Sequence, residues 1–129
     1  MKRILIVDDE MDTLNLLKMM LELIGYTAIT TSDPAHALTL AEIERPDCVL
    51  LDIMMPKLDG FTVCKMLRLH PLTCNLPIVF VTAYQANNLE ARRIEAGADL
   101  LVPKPASMDA LIKTIERAIA LRQQAAQSG

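Results

Sequence analysis

Tryptophan is absent from this chain of 129 residues, and only two phenylalanines and two tyrosines occur. A core of the size such a length allows must therefore be filled by aliphatic side chains and methionine. Cysteine is scarce too. Cys48, Cys64 and Cys74 form an odd set with neither CxxC spacing nor a matching histidine pair. They fit reduced, mostly buried thiols better than a disulfide framework or a Cys/His zinc site. The two histidines, His36 and His70, lack a partner at ligand spacing and read as surface residues. Positive charge is not in excess: 13 basic against 16 acidic side chains leave a formal charge of −3. With no basic patch, nothing favours direct nucleic-acid binding. No apolar run approaches the ~20 residues needed to cross a bilayer. The opening MKRILIVDDE turns acidic before a secretory apolar core can develop. The expectation is a cytoplasmic chain with no membrane partner.

What the chain does have is short apolar runs alternating with helix-like segments. Candidate strands are Arg3–Val7, Tyr26–Thr30, Cys48–Ile53, Ile78–Val81 and Leu100–Val102. They lack the two-residue alternation of half-exposed strands, as expected of parallel strands covered on both faces. Between them, Met11, Leu14, Leu17, Leu21 and Ile24 recur at helical spacing, as do Met108, Leu111, Ile112, Ile115 and Ile119. Gly25 and Gly97 sit where helices would end in a left-handed residue. Asp33-Pro34 suits an N-cap followed by proline at the first helical position. Five strands alternating with five helices predict one α/β domain with a parallel sheet and helices on both faces. That domain is placed at residues 1–122. The polar residues 123–129, QQAAQSG, are expected to fray or to begin a linker.

Ligands of such sheets bind beyond the carboxyl ends of the strands. There the first strand delivers Asp8-Asp9-Glu10, and the third carries Asp52 inside the apolar CVLLDIMMP. The fourth ends in Thr82-Ala83, and the fifth is followed by Lys104-Pro105. Taken singly, the paired acids are solvated turn residues, Thr82 a strand end and Lys104 a surface charge. Asp52 is harder to dismiss, because an ionised carboxylate in an apolar run is costly unless paired. Brought together, Asp8, Asp9 and Asp52 against Lys104 leave two uncompensated negative charges. One Mg²⁺ would cancel them, and its preference for hard oxygen ligands leaves room for a phosphoryl group. Phosphoryl transfer needs little beyond positioning and charge neutralisation. A carboxylate serves as nucleophile by forming an acyl phosphate. Asp52 is the best-placed nucleophile, with Thr82 and Lys104 offering donors to the phosphoryl oxygens.

Four segments carry a resemblance: ILIVDDE, LLDIMMPKLDGFTV, PIVFVTA and EAGADLLVPKP. In this order and spacing, over about Lys2 to Arg122, the chain resembles the receiver domain of two-component response regulators. The resemblance implies the flavodoxin-like doubly wound sheet with strand order 2-1-3-4-5. It implies that Asp52 takes a phosphoryl group from the phosphohistidine of a sensor histidine kinase or phosphotransfer protein. Asp9, Asp52 and the carbonyl of Met54 would ligate Mg²⁺, with Asp8 acting through water. Thr82 and Lys104 would contact the phosphoryl group. Lys104–Pro105 would be a cis peptide, and Asp59-Gly60 would shape the loop entering the third helix. Such a protein is a switch rather than an enzyme, acting only on its own aspartyl phosphate. Its output partner, or fused output domain, is not named by the sequence.

Three positions depart from the family pattern. Leu101 stands where an aromatic commonly turns inward, and leucine has no ring or hydroxyl to swing. Pro103 and Ala106 flank the Lys-Pro step, on the face of helix four, strand five and helix five that commonly serves as output. That face is therefore less aromatic than usual. Tyr84, two residues beyond Thr82, reads either as a ring over the phosphoryl site that hinders water or as an exposed loop tyrosine. Arg92, Arg93 and Glu95 read as a solvated charged face. Two other functions compete. A Mg²⁺-dependent phosphohydrolase using an aspartyl phosphate would place D-x-D after the first strand, where this chain has Asp8-Asp9 and no capping insertion. A phosphorylation-independent binding module would have no use for the full set of Asp8, Asp9, Asp52, Thr82 and Lys104.

Overall fold

Strands that are apolar at every position make sense only if both faces of the sheet are covered, and they are. The computed structural model describes residues 2–128. Its elements run β1 (Arg3–Val7), α1 (Met11–Leu23), β2 (Thr27–Thr31), α2 (Ala37–Glu44), β3 (Cys48–Leu51), α3 (Gly60–Leu69), β4 (Ile78–Thr82), α4 (Leu89–Ala96), β5 (Leu100–Pro103) and α5 (Met108–Ser128). All strand pairs are parallel, in the order β2-β1-β3-β4-β5. Alternate residues of one strand serve different layers. Leu5 and Val7 of β1 join Val49 and Leu51 of β3 under α2, α3 and α4. Ile4 and Ile6 join Cys48 and Leu50 under α1 and α5, whose Leu14, Leu17, Leu21, Leu111 and Ile115 complete that layer. At ~1.5–3 kcal/mol per fully buried aliphatic side chain, these two layers dominate the folding free energy.

Element ends follow local chemistry. The α1 helix stops at Leu23, and Gly25 follows at φ +90°, the left-handed conformation that favours glycine. Gly97 does the same after α4, at φ +93°. Asp33 does cap a helix, accepting from the Ala35 amide, but the helix is a short 3₁₀ turn at Pro34–His36 that leads into α2. Asp59 accepts from Thr62 N at 2.8 Å to open α3, and the Ser107 hydroxyl accepts from Ala110 N at 3.1 Å to open α5. Pro103 lies in β5, an edge strand, where a missing amide is tolerated.

Three sequence expectations change. The α5 helix continues through Ser128, so residues 123–128 are helical rather than a frayed tail; alanine and glutamine are good helix formers and extend the helix. The expectation for residue 129 lies outside the described residues. Asp52 and Ile53 fall just beyond β3, although Asp52 N still donates to Val7 O at 3.0 Å. His70 is half-buried, with Nε2 3.0 Å from a Glu42 carboxylate and Nδ1 accepting from Leu72 N. The cysteines are free, with Cys48 and Cys64 buried. Burial pushes the Cys64 thiol up to about 11 and that of Cys48 higher, so both stay protonated and unreactive. No helix among the described residues is long and apolar enough to cross a membrane.

Candidate functional site at the carboxyl edge of the sheet

The parallel order puts the ends of β1, β3, β4 and β5 side by side, and the polar residues that follow them meet. Asp8 directly follows β1 and is buried. Its Oδ1 accepts from Glu10 N at 2.9 Å, a turn that folds the Glu10 backbone over the strand end. Asp52 directly follows β3, and its Oδ1 accepts from Ile53 N at 2.8 Å. Lys104, after β5, places Nζ 2.7 Å from Asp8 Oδ2, 3.5 Å from Asp52 Oδ2 and 3.8 Å from Glu10 Oε1. Thr82, buried at the end of β4, completes the edge, and its Oγ1 accepts from Tyr84 N at 3.0 Å. The Lys104–Pro105 peptide is cis, as expected. A cleft of about 250 Å³ opens over these groups, lined by Glu10, Asp52, Met54, Thr82, Tyr84 and Lys104 among others.

Gly60 sets how close the next helix comes. A Cβ there would lie 2.2 Å from Asp52 O and 2.7 Å from Ile53 Cα. Only glycine lets α3 begin against this backbone, where Gly60 N donates to Ile53 O at 2.8 Å.

Electrostatics at the site run against an ionised Asp52. Burial raises its pKa, and the Asp8 charge adds to this; Lys104 and hydrogen bonds from Thr82 and Ile53 offset part of the effect. For Lys104, burial opposes the charge, but the Asp8 hydrogen bond and the charges of Asp52, Asp8 and Glu10 together raise its pKa. Asp8, Glu10 and Asp52 each offer a carboxylate oxygen, all within 4.8 Å of one another. Three carboxylates against one ammonium leave two negative charges uncompensated. The donors are hard oxygens, so the set fits a divalent cation such as Mg²⁺.

Asp8, Asp52, Thr82 and Lys104 therefore converge, and a further acid joins them. Asp9 is partly exposed and is not in the close carboxylate set, whereas Glu10, which the sequence reading did not assign, is. The signal was present in the third acid of the DDE run: Glu10 lies two residues past Asp8, on the turn that returns to it. The supposed charged face on α4 is also different. Arg93 donates to the carbonyls of Ala98 and Asp99, Glu95 pairs with Lys65, and Arg92 lies on the Phe61 ring.

A sequence profile of the response regulator receiver domain matches residues 4–116. The chain belongs to that family. Among curated receiver-containing relatives, the alkaline phosphatase synthesis transcriptional regulatory protein PhoP of Bacillus subtilis is 44% identical over 119 residues. The match covers 90% of this chain but only 49% of PhoP, so this receiver chain spans about half of that relative's length. Among solved structures, the Vibrio cholerae chemotaxis protein CheY4 superposes with a TM-score of 0.86 at 28% identity, covering 92% of this chain and 98% of that one. The receiver domain of the sensor histidine kinase PA1611 from Pseudomonas aeruginosa has a magnesium ion coordinated in its active-site cleft. It superposes with a TM-score of 0.84 at 27% identity, covering 92% of this chain and 98% of its own.

Proposed function

We propose that Asp52 is the phosphoacceptor of a two-component switch. The observation that carries this reading is a carboxylate at 5% side-chain exposure with an ammonium 3.5 Å away and two further acids beside it. Oδ of Asp52 attacks the phosphorus of a phosphohistidine on a sensor kinase or phosphotransfer protein. The O–P bond forms as the P–N bond breaks, and the leaving imidazole keeps the electron pair and takes up a proton. Lys104 donates to the phosphoryl oxygens, and so does the Thr82 hydroxyl. Asp8, Glu10 and Asp52 would hold Mg²⁺, with Asp9 and the Met54 carbonyl as the further ligands the family resemblance implies. The cation would neutralise charge on the transferring group. PA1611's bound magnesium supports that assignment by likeness.

The phosphoryl group adds about −1.5 to −2 charge and three acceptor oxygens. It favours the active arrangement only through contacts that differ between states. Lys104 leaves Asp8 for the new oxygens, and the surface of α4, β5 and α5 shifts toward a form that an output partner or fused output domain reads. The chain's own action is limited to gaining and losing this phosphate.

The test is incubation with Mg²⁺ and acetyl phosphate, followed by intact mass. The expected result is one hydroxylamine-labile phosphoryl adduct per chain, absent in Asp52→Asn. Repeated turnover of added phosphomonoesters would instead establish a phosphohydrolase. A wild-type mass that never changes would leave only the binding module.

A further inference from the structure

Eight methionines occur in the chain, and two neighbours among them meet opposite surroundings. Met55 is 8% exposed and packs in the layer under α2, α3 and α4. Met54 is 59% exposed. It lies two residues past Asp52, in the loop between β3 and α3, and lines the cleft together with Asp52, Thr82, Tyr84 and Lys104. Met11 and Met19 of α1 and Met66 of α3 are exposed too, but they lie off that cleft. Ile53 and Met55 are both buried, and Gly60 N donates to Ile53 O at 2.8 Å, so the backbone on either side of Met54 is held. A polarisable thioether is thus kept open to solvent beside the acids.

We propose that Met54 is a peroxide-sensitive oxidation site whose sulfoxide shortens the life of the phosphate on Asp52. The inference rests on the phosphoacceptor reading and adds a redox input to it. The sulfur lone pair of Met54 attacks one oxygen of hydrogen peroxide, and the O–O bond breaks. That oxygen stays on sulfur, and the other leaves with both hydrogens as water. Sulfur is oxidised and the peroxide reduced by the same electron pair. The product is a polar, chiral sulfoxide, which methionine sulfoxide reductases return to the thioether.

The lining of the cleft gives the consequence. Glu10, Asp52, Thr82 and Lys104 are polar, whereas Met54 and Tyr84 supply the bulky apolar cover. As a thioether, Met54 holds water poorly, because its sulfur is only a weak acceptor. As a sulfoxide, it presents a strong acceptor oxygen at the same place and draws water in. Water held there attacks phosphorus, and the P–O bond to Asp52 breaks. The carboxylate leaves with the electron pair, and the proton goes to the released phosphate. Met55 is shielded by its packing, so the change is confined to the cleft and spares the core.

The experiment treats the whole chain with hydrogen peroxide, removes it, and maps the added oxygen by peptide mass. Treated and untreated chains are then labelled with Mg²⁺ and acetyl phosphate, the donor is removed, and loss of label is followed by intact mass. The expected result is an added oxygen on Met54 and none on Met55, with label lost several-fold faster after treatment. Reduction by the two methionine sulfoxide reductases, one for each epimer, should restore the slower loss. In Met54→Leu, where Met11, Met19, Met66 and Cys74 still meet peroxide, treated and untreated samples should match each other. Met54→Gln, which sets an amide acceptor in the same place, should lose label faster than Met54→Leu without any peroxide. Met54 left unmodified while Met11 and Met19 gain oxygen overturns the site. Oxidised Met54 with an unchanged lifetime, or equal acceleration in Met54→Leu, overturns this inference alone. Wild type that takes no label before peroxide overturns the phosphoacceptor reading and this inference with it.

Discussion

The ammonium of Lys104 lies 2.7 Å from a carboxylate oxygen of Asp8, a residue 96 positions earlier in the chain. Asp8 is the anchor of this pair, because its side chain is almost fully buried while Lys104 faces the cleft.

Removing the cation should therefore cost stability. Lys104→Met leaves Asp8 and Asp52 buried beside each other with no positive partner. Breaking a buried pair from one side costs ~3–5 kcal/mol, and the open cleft, which admits water, places this case near the lower figure. Urea unfolding would measure it. If these acids hold Mg²⁺ as proposed, added Mg²⁺ should raise the midpoint of the variant more than that of wild type, as a cation held only by the folded acids would.

Asp52 should make stability depend on pH in a definite direction. Its pKa in the folded chain is raised by burial and by Asp8 above the ordinary value of 3.8. The folded state therefore holds the proton more tightly than the unfolded one. That contribution is fully present below 3.8 and is lost as pH rises through the folded value. At pH 7 wild type bears the cost of an ionised Asp52, and Asp52→Asn does not. The variant should unfold at higher urea at pH 7, with the advantage vanishing in acid below the ordinary carboxylate value.

Gly60→Ala tests the closeness of α3. The added methyl meets rigid backbone, Asp52 O and Ile53 Cα, with no side chain able to yield. Overpacking of this kind costs ~1–3 kcal/mol. The shift falls on Asp52, the proposed phosphoacceptor, so labelling by acetyl phosphate should slow as the unfolding midpoint drops.

A second acid, Asp99, should matter for stability at the opposite edge of the sheet. It accepts from Arg68 at 3.0 Å, Arg122 at 2.7 Å and Ile78 N at 2.9 Å, with 9% of its side chain exposed. Asp99→Ala leaves Arg68 partly buried without its carboxylate, and a loss of ~3–5 kcal/mol is expected. Asp109→Ala, which removes an exposed i,i+4 pair with Lys113, should cost no more than ~0.5 kcal/mol. Chemical denaturation of both variants compares them directly.

Tyr84 lines the cleft over Asp52. Its ring should slow the approach of water to an aspartyl phosphate, so Tyr84→Ala is expected to shorten the phosphorylated lifetime several-fold. Loss of label after removal of donor measures this; an unchanged rate would remove the idea.

Local pattern was enough to read the layered architecture and the acids at the strand ends. Unbroken apolar runs demand cover on two faces, and parallel strands carry whatever follows them to one edge. Asp8, Asp52, Thr82 and Lys104 were legible for that reason. The resemblance supplied the strand order, which periodicity does not encode.

Packing alone decided the rest. Glu10 joins Asp8 and Asp52, because the turn in which Asp8 Oδ1 accepts from Glu10 N folds that residue back over the strand end. Arg92 looked solvated in the chain and lies on Phe61 in the fold, since a cation's partner depends on which ring a distant helix brings near. The chain's own order determined where the charges would be delivered; only the folded contacts determined which of them touch, because pairing depends on side-chain direction across elements that are far apart along the backbone.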